Sequence, residues 1–345
     1  MSILNKIFNH NQAEHILLSP LPIEGDLPEF VGLSDWLNSA PLRHTDLLGK
    51  VVLIDFWTYS CVNCIRTLPQ LRSWHQNYAK QGLTIVGVHT PEFEFEKDRN
   101  NVEVAVKRFG IEYPIALDNR RKTWDAFRNR YWPAHYFVDR AGKIRYHHFG
   151  EGGYRQSEQV IRMLLQEAGE ELPTWTDANA ADRLDVRDVA TPETYLGYWR
   201  QEYFGSPEAV AFDGQRRYSV PERPAKNVFY FDGDWEIHGE FAVPKSIGAR
   251  LVYRYQATEV NLVLESGIQD SGFKKNTMLE VILDNAPLNE KNAGEDIIMI
   301  DGRSMIEINE ARTYGLIDGH GESDEHLLEL RFPEPGIRCF VFTFG

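Results

Sequence analysis

The chain has 345 residues, of which 42% are hydrophobic and 12% aromatic, and a formal net charge of −14. The length exceeds one ordinary core and predicts two domains, and the apolar content excludes a disordered chain. The acidity argues against binding nucleic acid or an anionic membrane surface, and no stretch reaches the roughly 18 apolar residues of a membrane span.

Residues 1–45 read as irregular, with Pro20, Pro22, Pro28 and Pro41 punctuating them. The opening MSILNKIFNHNQAEHILLS is broken by Asn, His, Gln and Glu and does not read as a signal peptide. The expectation is a cytoplasmic protein, or a periplasmic or other extracytoplasmic one if the sequence is a fragment. Residues 50–57 (KVVLIDFW) are a continuous β-branched and aromatic run, predicting a strand covered on both faces. After the short turn Thr58-Tyr59-Ser60, a helix is expected from Cys61 to Lys80, stopped by Gly82 and kinked at Pro69. A second buried strand follows over 83–89, then a helix over 94–109, a short strand over 113–118 and a short helix around Trp124 and Phe127. Residues 134–139 and 143–149 read as a hairpin around Arg140-Ala141-Gly142, and a helix over 157–168 closes the unit. Strands alternating with helices and ending in a hairpin predict an α/β domain with a mixed central sheet.

Beyond a polar linker come short runs of alternating polar and apolar residues. They cover 235–241, 251–255, 260–264, 279–283 and 327–332, with Asp232-Gly233, Asp301-Gly302 and Asp318-Gly319 as expected turns between them. This pattern predicts an all-β antiparallel sandwich or jelly roll. The expected domains are 1–172, an α/β unit with an irregular N-terminal extension, a linker over 173–194, and a β-sandwich over 195–345.

Only three cysteines are present, which excludes a disulfide-stapled scaffold. Cys339 lies in an apolar strand-like run and reads as a buried small hydrophobe. Cys61 and Cys64 form a CxxC at the strand-to-helix junction. There the helix N-terminus favours a thiolate at Cys61, and Cys64, one turn on, is placed to attack a mixed disulfide formed at Cys61. A zinc site needs a second ligand pair, and neither His75 nor His89 completes one. The reading requires no cofactor and no metal. Asp55, six residues before Cys61, and Glu92, after the second strand, are candidate proton acceptors; each also reads as an ordinary polar residue. Trp57, Trp132 and Pro133 are candidate substrate contacts. The Trp132–Pro133 bond, just before a central strand, is a candidate cis peptide that would present the Trp132 backbone to an extended substrate.

At these residues the chain resembles the thioredoxin superfamily, through Asp55, Trp57, Cys61, Cys64, Pro69 and Pro133. The stretch between Glu92 and Tyr131 resembles the insertion of the TlpA/ResA branch, in which Glu92 matches an active-site acid. The segments GKVVLIDFWTYSCVNCIRTLPQL, IVGVHTPEFEFEK, YWPAHYFVDRAGKIR and GEGGYR, with the tail starting ATPETYLGYWR, are similar to the soluble part of DipZ-type proteins. That resemblance implies a thioredoxin-like domain followed by one resembling a carbohydrate-binding module. It implies disulfide exchange with protein substrates, reducing more than oxidising, and a glycan as a possible ligand of the β domain. Full DipZ-type proteins carry a membrane-embedded electron-delivery domain not included in this sequence, so the redox partner is left unidentified.

Two other functions compete. Thr58-Tyr59-Ser60-Cys61 matches half of the peroxiredoxin pattern, which suggests a thiol peroxidase, although Ile54 stands where that pattern wants a proline. A carbohydrate-binding or scaffold protein with a minor redox role is the other. Trp199, Tyr203, Trp235 and Tyr314 are conceivable sugar platforms, and each also reads as packing.

Overall fold

The computed structural model describes residues 20–172, 191–267 and 277–345. The stretch 1–19 and residues 173–190 of the expected linker lie outside the described residues. The described chain groups into two units: residues 20–56, 69–88 and 112–172 form one, and 57–68, 89–111 and the described residues from 191 onward form the other.

The first half runs β1 (Gly25–Asp26), β2 (Asp35–Leu37), α1 (His44–Leu47), β3 (Val51–Trp57), α2 (Val62–Tyr78), β4 (Leu83–His89), α3 (Arg99–Arg108), β5 (Ile115–Leu117), α4 (Lys122–Ala126), β6 (Ala134–Val138), β7 (Lys143–Phe149) and α5 (Tyr154–Glu167). Its strands make one mixed sheet in the order β1-β7-β6-β3-β4-β5-β2, a thioredoxin-like arrangement. β3 is central, and every one of its residues is buried, as its unbroken apolar run requires. Val52, Ile54 and Phe56 share one core with Trp124, Phe127 and Tyr136. The Phe56 ring meets Trp124 at 5.7 Å and Phe127 at 5.1 Å, both edge to face. Each such side chain contributes about 1.5–3 kcal/mol by leaving water.

Several boundaries differ from expectation for local reasons. α2 begins at Val62, because Cys61 occupies the capping position, and it passes through a 3₁₀ turn, Ala79–Gln81, before Gly82 ends it at φ +93°. The helix expected over 94–109 is divided into a 3₁₀ turn, Glu94–Lys97, and α3. Asp98 takes an extended backbone between them, and its carboxylate accepts the Asn100 N–H at 2.8 Å, capping α3. The segment expected to be irregular before residue 45 supplies β1 and β2, both sheet edges. Strands of two and three residues are too short to show a period.

Among the described residues the C-terminal half is built of strands: ten pair antiparallel along one path, and three more pair at its sides, thirteen in all. Strand Val228–Ile237 joins two layers. Its first five residues, 228–232, pair with Ala249–Gln256, and its remainder pairs with Gln215–Tyr218 and Ala242–Pro244. Asp232-Gly233, expected as a turn, is the bend where this strand changes partners. Gly233 has φ +88°, and a Cβ there would meet Ser246 Oγ at 3.0 Å and Ala249 Cα at 3.3 Å. Asp301-Gly302 does connect two strands, Ile298–Ile300 and Arg303–Ile308, as expected. Asp318-Gly319 also lies between two strands, as expected: Asp318 ends Arg312–Asp318, and Gly319 O accepts the Glu322 N–H at 3.0 Å in the turn toward Glu325–Phe332.

One apolar core fills this half. Trp235 is fully buried, stacks on Phe231 at 4.2 Å, meets Phe332 edge-on at 5.2 Å and donates its indole N–H to Asp232 O at 3.0 Å. Trp235 and Tyr314 are therefore packing residues, whereas Trp199 and Tyr203 are on the surface. Cys339 is fully buried in strand Arg338–Phe344, and burial pushes its thiol well above the ordinary range, so it is chemically inert in the native state.

Candidate active site

The residues between β3 and α2, Thr58 to Cys61, form a turn closed by the Cys61 N–H donating to Thr58 O at 3.3 Å. Cys61 then stands where a helix cap stands, and its Sγ accepts the Cys64 N–H at 3.4 Å. Unpaired N–H groups at a helix start favour an anion at that place. Cys61 is half-buried, Cys64 is fully buried, and no disulfide joins them. The Thr67 hydroxyl donates to Cys64 O at 2.7 Å and steadies the first turn of α2. One sulfur is thus reachable from solvent, and its neighbour lies one turn deeper.

A carboxyl that sequence reasoning missed holds this turn. Glu96 is fully buried, and its Oε1 accepts the Thr58 hydroxyl at 2.6 Å and the Ser60 hydroxyl at 2.5 Å. Its Oε2 accepts the backbone N–H of Phe93 at 2.9 Å and that of Glu92. Burial, then the charge of Glu92, pushes the Glu96 carboxyl up to about 7 against the pull of these hydrogen bonds. His89 packs on the same turn: its Nε2 lies 3.3 Å from Thr58 Oγ1 and accepts the Tyr59 N–H at 3.4 Å. Burial holds His89 down to about 3, so the ring is neutral. The available signal was position: Glu96 is three residues past Phe93, where a capping-box acid reaches back to the first N–H of a helical turn.

Glu92 is engaged elsewhere. Its Oε1 accepts from Arg200 at 2.8 Å and from the Tyr195 hydroxyl at 2.8 Å. The same hydroxyl lies 2.9 Å from Glu193 Oε2. A phenol has one proton to donate, so two carboxyls on one phenol oxygen require one of them to hold a proton. Glu193 is the one suited to it, since burial, then the charge of Glu92, pushes it up to about 7. The Arg200 guanidinium also covers the Tyr195 ring at 3.7 Å.

The other expected site residues fall as follows. Trp57 is fully buried, its ring edge-on to His89 at 5.3 Å. Asp55 is fully buried with Oδ1 3.3 Å from His135 Nε2, although neither carboxylate oxygen has an aligned hydrogen bond. Burial, then the charge of Asp55, holds the phenol of the buried Tyr113 well above its ordinary range. The Trp132–Pro133 peptide is cis. Trp132 is half-buried, its ring 4.3 Å from Trp124, with Arg121 over both indoles.

A cleft of about 190 Å³ opens beside the turn, lined by Tyr59, Val62 and Ile65 and, across from them, by Val104, Arg312 and Thr313. The Thr313 hydroxyl donates to Ser60 O. Arg312 is held by both oxygens of Asp296, at 2.6 and 3.0 Å. Among the described residues no group of three or more His, Cys, Asp or Glu is placed to hold a metal ion, and no helix is long and apolar enough to cross a membrane.

Two family models match the chain: the AhpC/TSA family over residues 25–147 and the thioredoxin-like C-terminal domain over 191–345. Protein DipZ of Mycobacterium tuberculosis is 36% identical over 326 residues, which is 93% of this chain and 43% of that protein, so the chain spans less than half the length of that relative. Thiol-disulfide oxidoreductase YkuV of Bacillus subtilis is 33% identical over 141 residues, covering 41% of this chain and 95% of YkuV. Among solved structures, a thioredoxin-like protein in its oxidised form shares 32% identity over 41% of this chain and 96% of its own, with a TM-score of 0.39.

Proposed function

Because the chain belongs to the thioredoxin-like thiol–disulfide oxidoreductases, we propose that it reduces disulfides in protein substrates, with Cys61 attacking and Cys64 resolving. One observation carries this reading: the reachable Cys61 sulfur, at the start of α2, accepts the N–H of the buried Cys64.

A thiolate at Cys61 attacks one sulfur of a substrate disulfide. The S–S electron pair leaves on the other substrate sulfur, which takes a proton, and a mixed disulfide forms. Cys64 then loses its proton, attacks the Cys61 sulfur and expels the second substrate thiol. Two electrons have passed to the substrate, and the chain holds a Cys61–Cys64 disulfide. A dithiol-type redox partner returns the electrons and completes the cycle. Asp55 is the candidate acceptor of the Cys64 proton, and Trp132 and Pro133 are the candidate contacts for the substrate backbone.

A reduction assay tests this. In the presence of dithiothreitol the protein should accelerate reduction of the insulin disulfides, while hydrogen peroxide should oxidise Cys61 no faster than it oxidises an ordinary thiolate. Rapid sulfenic acid formation at Cys61, without insulin reduction, would favour a thiol peroxidase and remove this reading.

A further inference from the structure

We propose that Glu96 is a positioning residue of the redox site, a buried carboxyl whose ionisation state sets the hydrogen bonds of the turn that delivers Cys61. The proposal rests on the oxidoreductase reading and adds to it how the nucleophile is held.

The geometry is a matter of counting donors. Four groups point at the Glu96 carboxyl, the hydroxyls of Thr58 and Ser60 and the N–H groups of Glu92 and Phe93, and all four can donate. An ionised carboxylate accepts from every one of them. A protonated carboxyl has a donor of its own, and the two N–H groups cannot turn away. One hydroxyl must then become the acceptor. Thr58 is the hydroxyl whose proton can turn, toward the neutral His89 Nε2 3.3 Å from its Oγ1, where it shares the lone pair that the Tyr59 N–H also uses. Ser60 has Cys61 as its next residue, and the Cys61 N–H bonds to Thr58 O. Protonation at Glu96 therefore reverses one hydroxyl hydrogen bond of the turn that ends at the attacking sulfur.

The titratable groups facing Glu96 are Glu92 on its own loop and His89 and Tyr59 across the turn. Glu92 is in turn faced by Arg200, Tyr195 and Glu193. Through Glu92, these residues near the start of the β-rich half take part in the electrostatics of the redox turn. A carboxyl raised to about 7 is neutral below that pH and ionised above it, so the reversal falls near neutrality.

The test is the pH dependence of Cys61 alkylation by iodoacetamide in the full chain, followed by mass spectrometry. Wild type should show two coupled steps, one of them near pH 7. Glu96→Gln should lose that step. Thr58→Val removes a donor to the charged form and should move the step about one pH unit higher. Glu92→Gln removes a repelling charge and should move it lower. Those two variants keep Glu96 and shift the step in opposite directions, so they test the assignment even if Glu96→Gln fails to fold. Fast alkylation with the same steps in all variants would overturn this assignment and leave the oxidoreductase reading standing. Alkylation of wild-type Cys61 no faster than a free thiol would sink that reading, and this assignment with it.

Discussion

Cys61→Ser should lower disulfide exchange by about three orders of magnitude or more, because a hydroxyl cannot replace the attacking thiolate. Cys64→Ser should behave differently. It keeps the half-buried nucleophile and removes the buried sulfur that releases the captured substrate, so mixed disulfides at Cys61 should accumulate. Non-reducing electrophoresis and mass spectrometry of each variant, incubated with a disulfide-bearing protein, distinguish the two. Trapping by Cys61→Ser with none by Cys64→Ser would reverse the roles. Cys61→Ser keeps the helix start capped, and Cys64→Ser changes a single buried atom within the first turn of α2, so circular dichroism of both variants should match wild type.

Trp235→Ala should produce the largest loss of stability in the C-terminal half, about 3–5 kcal/mol. The indole fills the space between Phe231 and Phe332 and also donates to Asp232 O beside the bend at Gly233, where the strand changes partners. Removing it leaves a cavity and takes one donor from the Asp232 carbonyl at the joint between the two layers. Urea denaturation followed by circular dichroism should show a transition at clearly lower denaturant than wild type. Trp235→Phe, which keeps part of the ring volume, should lose less. A midpoint unchanged by Trp235→Ala would mean that this core does not hold the two layers together.

Much of this was legible in the sequence because it is written in local pattern. The run Val51–Trp57 could be read as a central strand because all of it is apolar but for Asp55, and the redox pair could be read because Cys61 and Cys64 follow that strand directly. The β-rich half showed itself through alternation, and the inertness of Cys339 through its apolar neighbours. Three features were not legible. β1 and β2 have too few residues to carry a period. Asp232-Gly233 has the composition of a turn, and only pairing on both sides shows it to be a bend within one strand. Glu96 was hidden in the acid–aromatic run EFEFE, at the start of a segment that reads as one helix over 94–109. Its burial comes from a 3₁₀ turn that folds it back onto Thr58 and Ser60, residues more than thirty positions earlier. The donors on Glu92 lie still farther along the chain, at Tyr195 and Arg200, beyond the reach of any spacing rule.

Equilibration in redox buffers bears most directly on the working pair. The protein is held at a series of dithiothreitol or glutathione potentials, quenched in acid and alkylated, and each cysteine is assigned by mass spectrometry. Cys61 and Cys64 should convert together, as one two-electron step into a bond with each other, at a potential near the roughly −270 mV of thioredoxin, with Cys339 reduced throughout. Independent oxidation of the two sulfurs, or a bond from either to Cys339, would contradict the account.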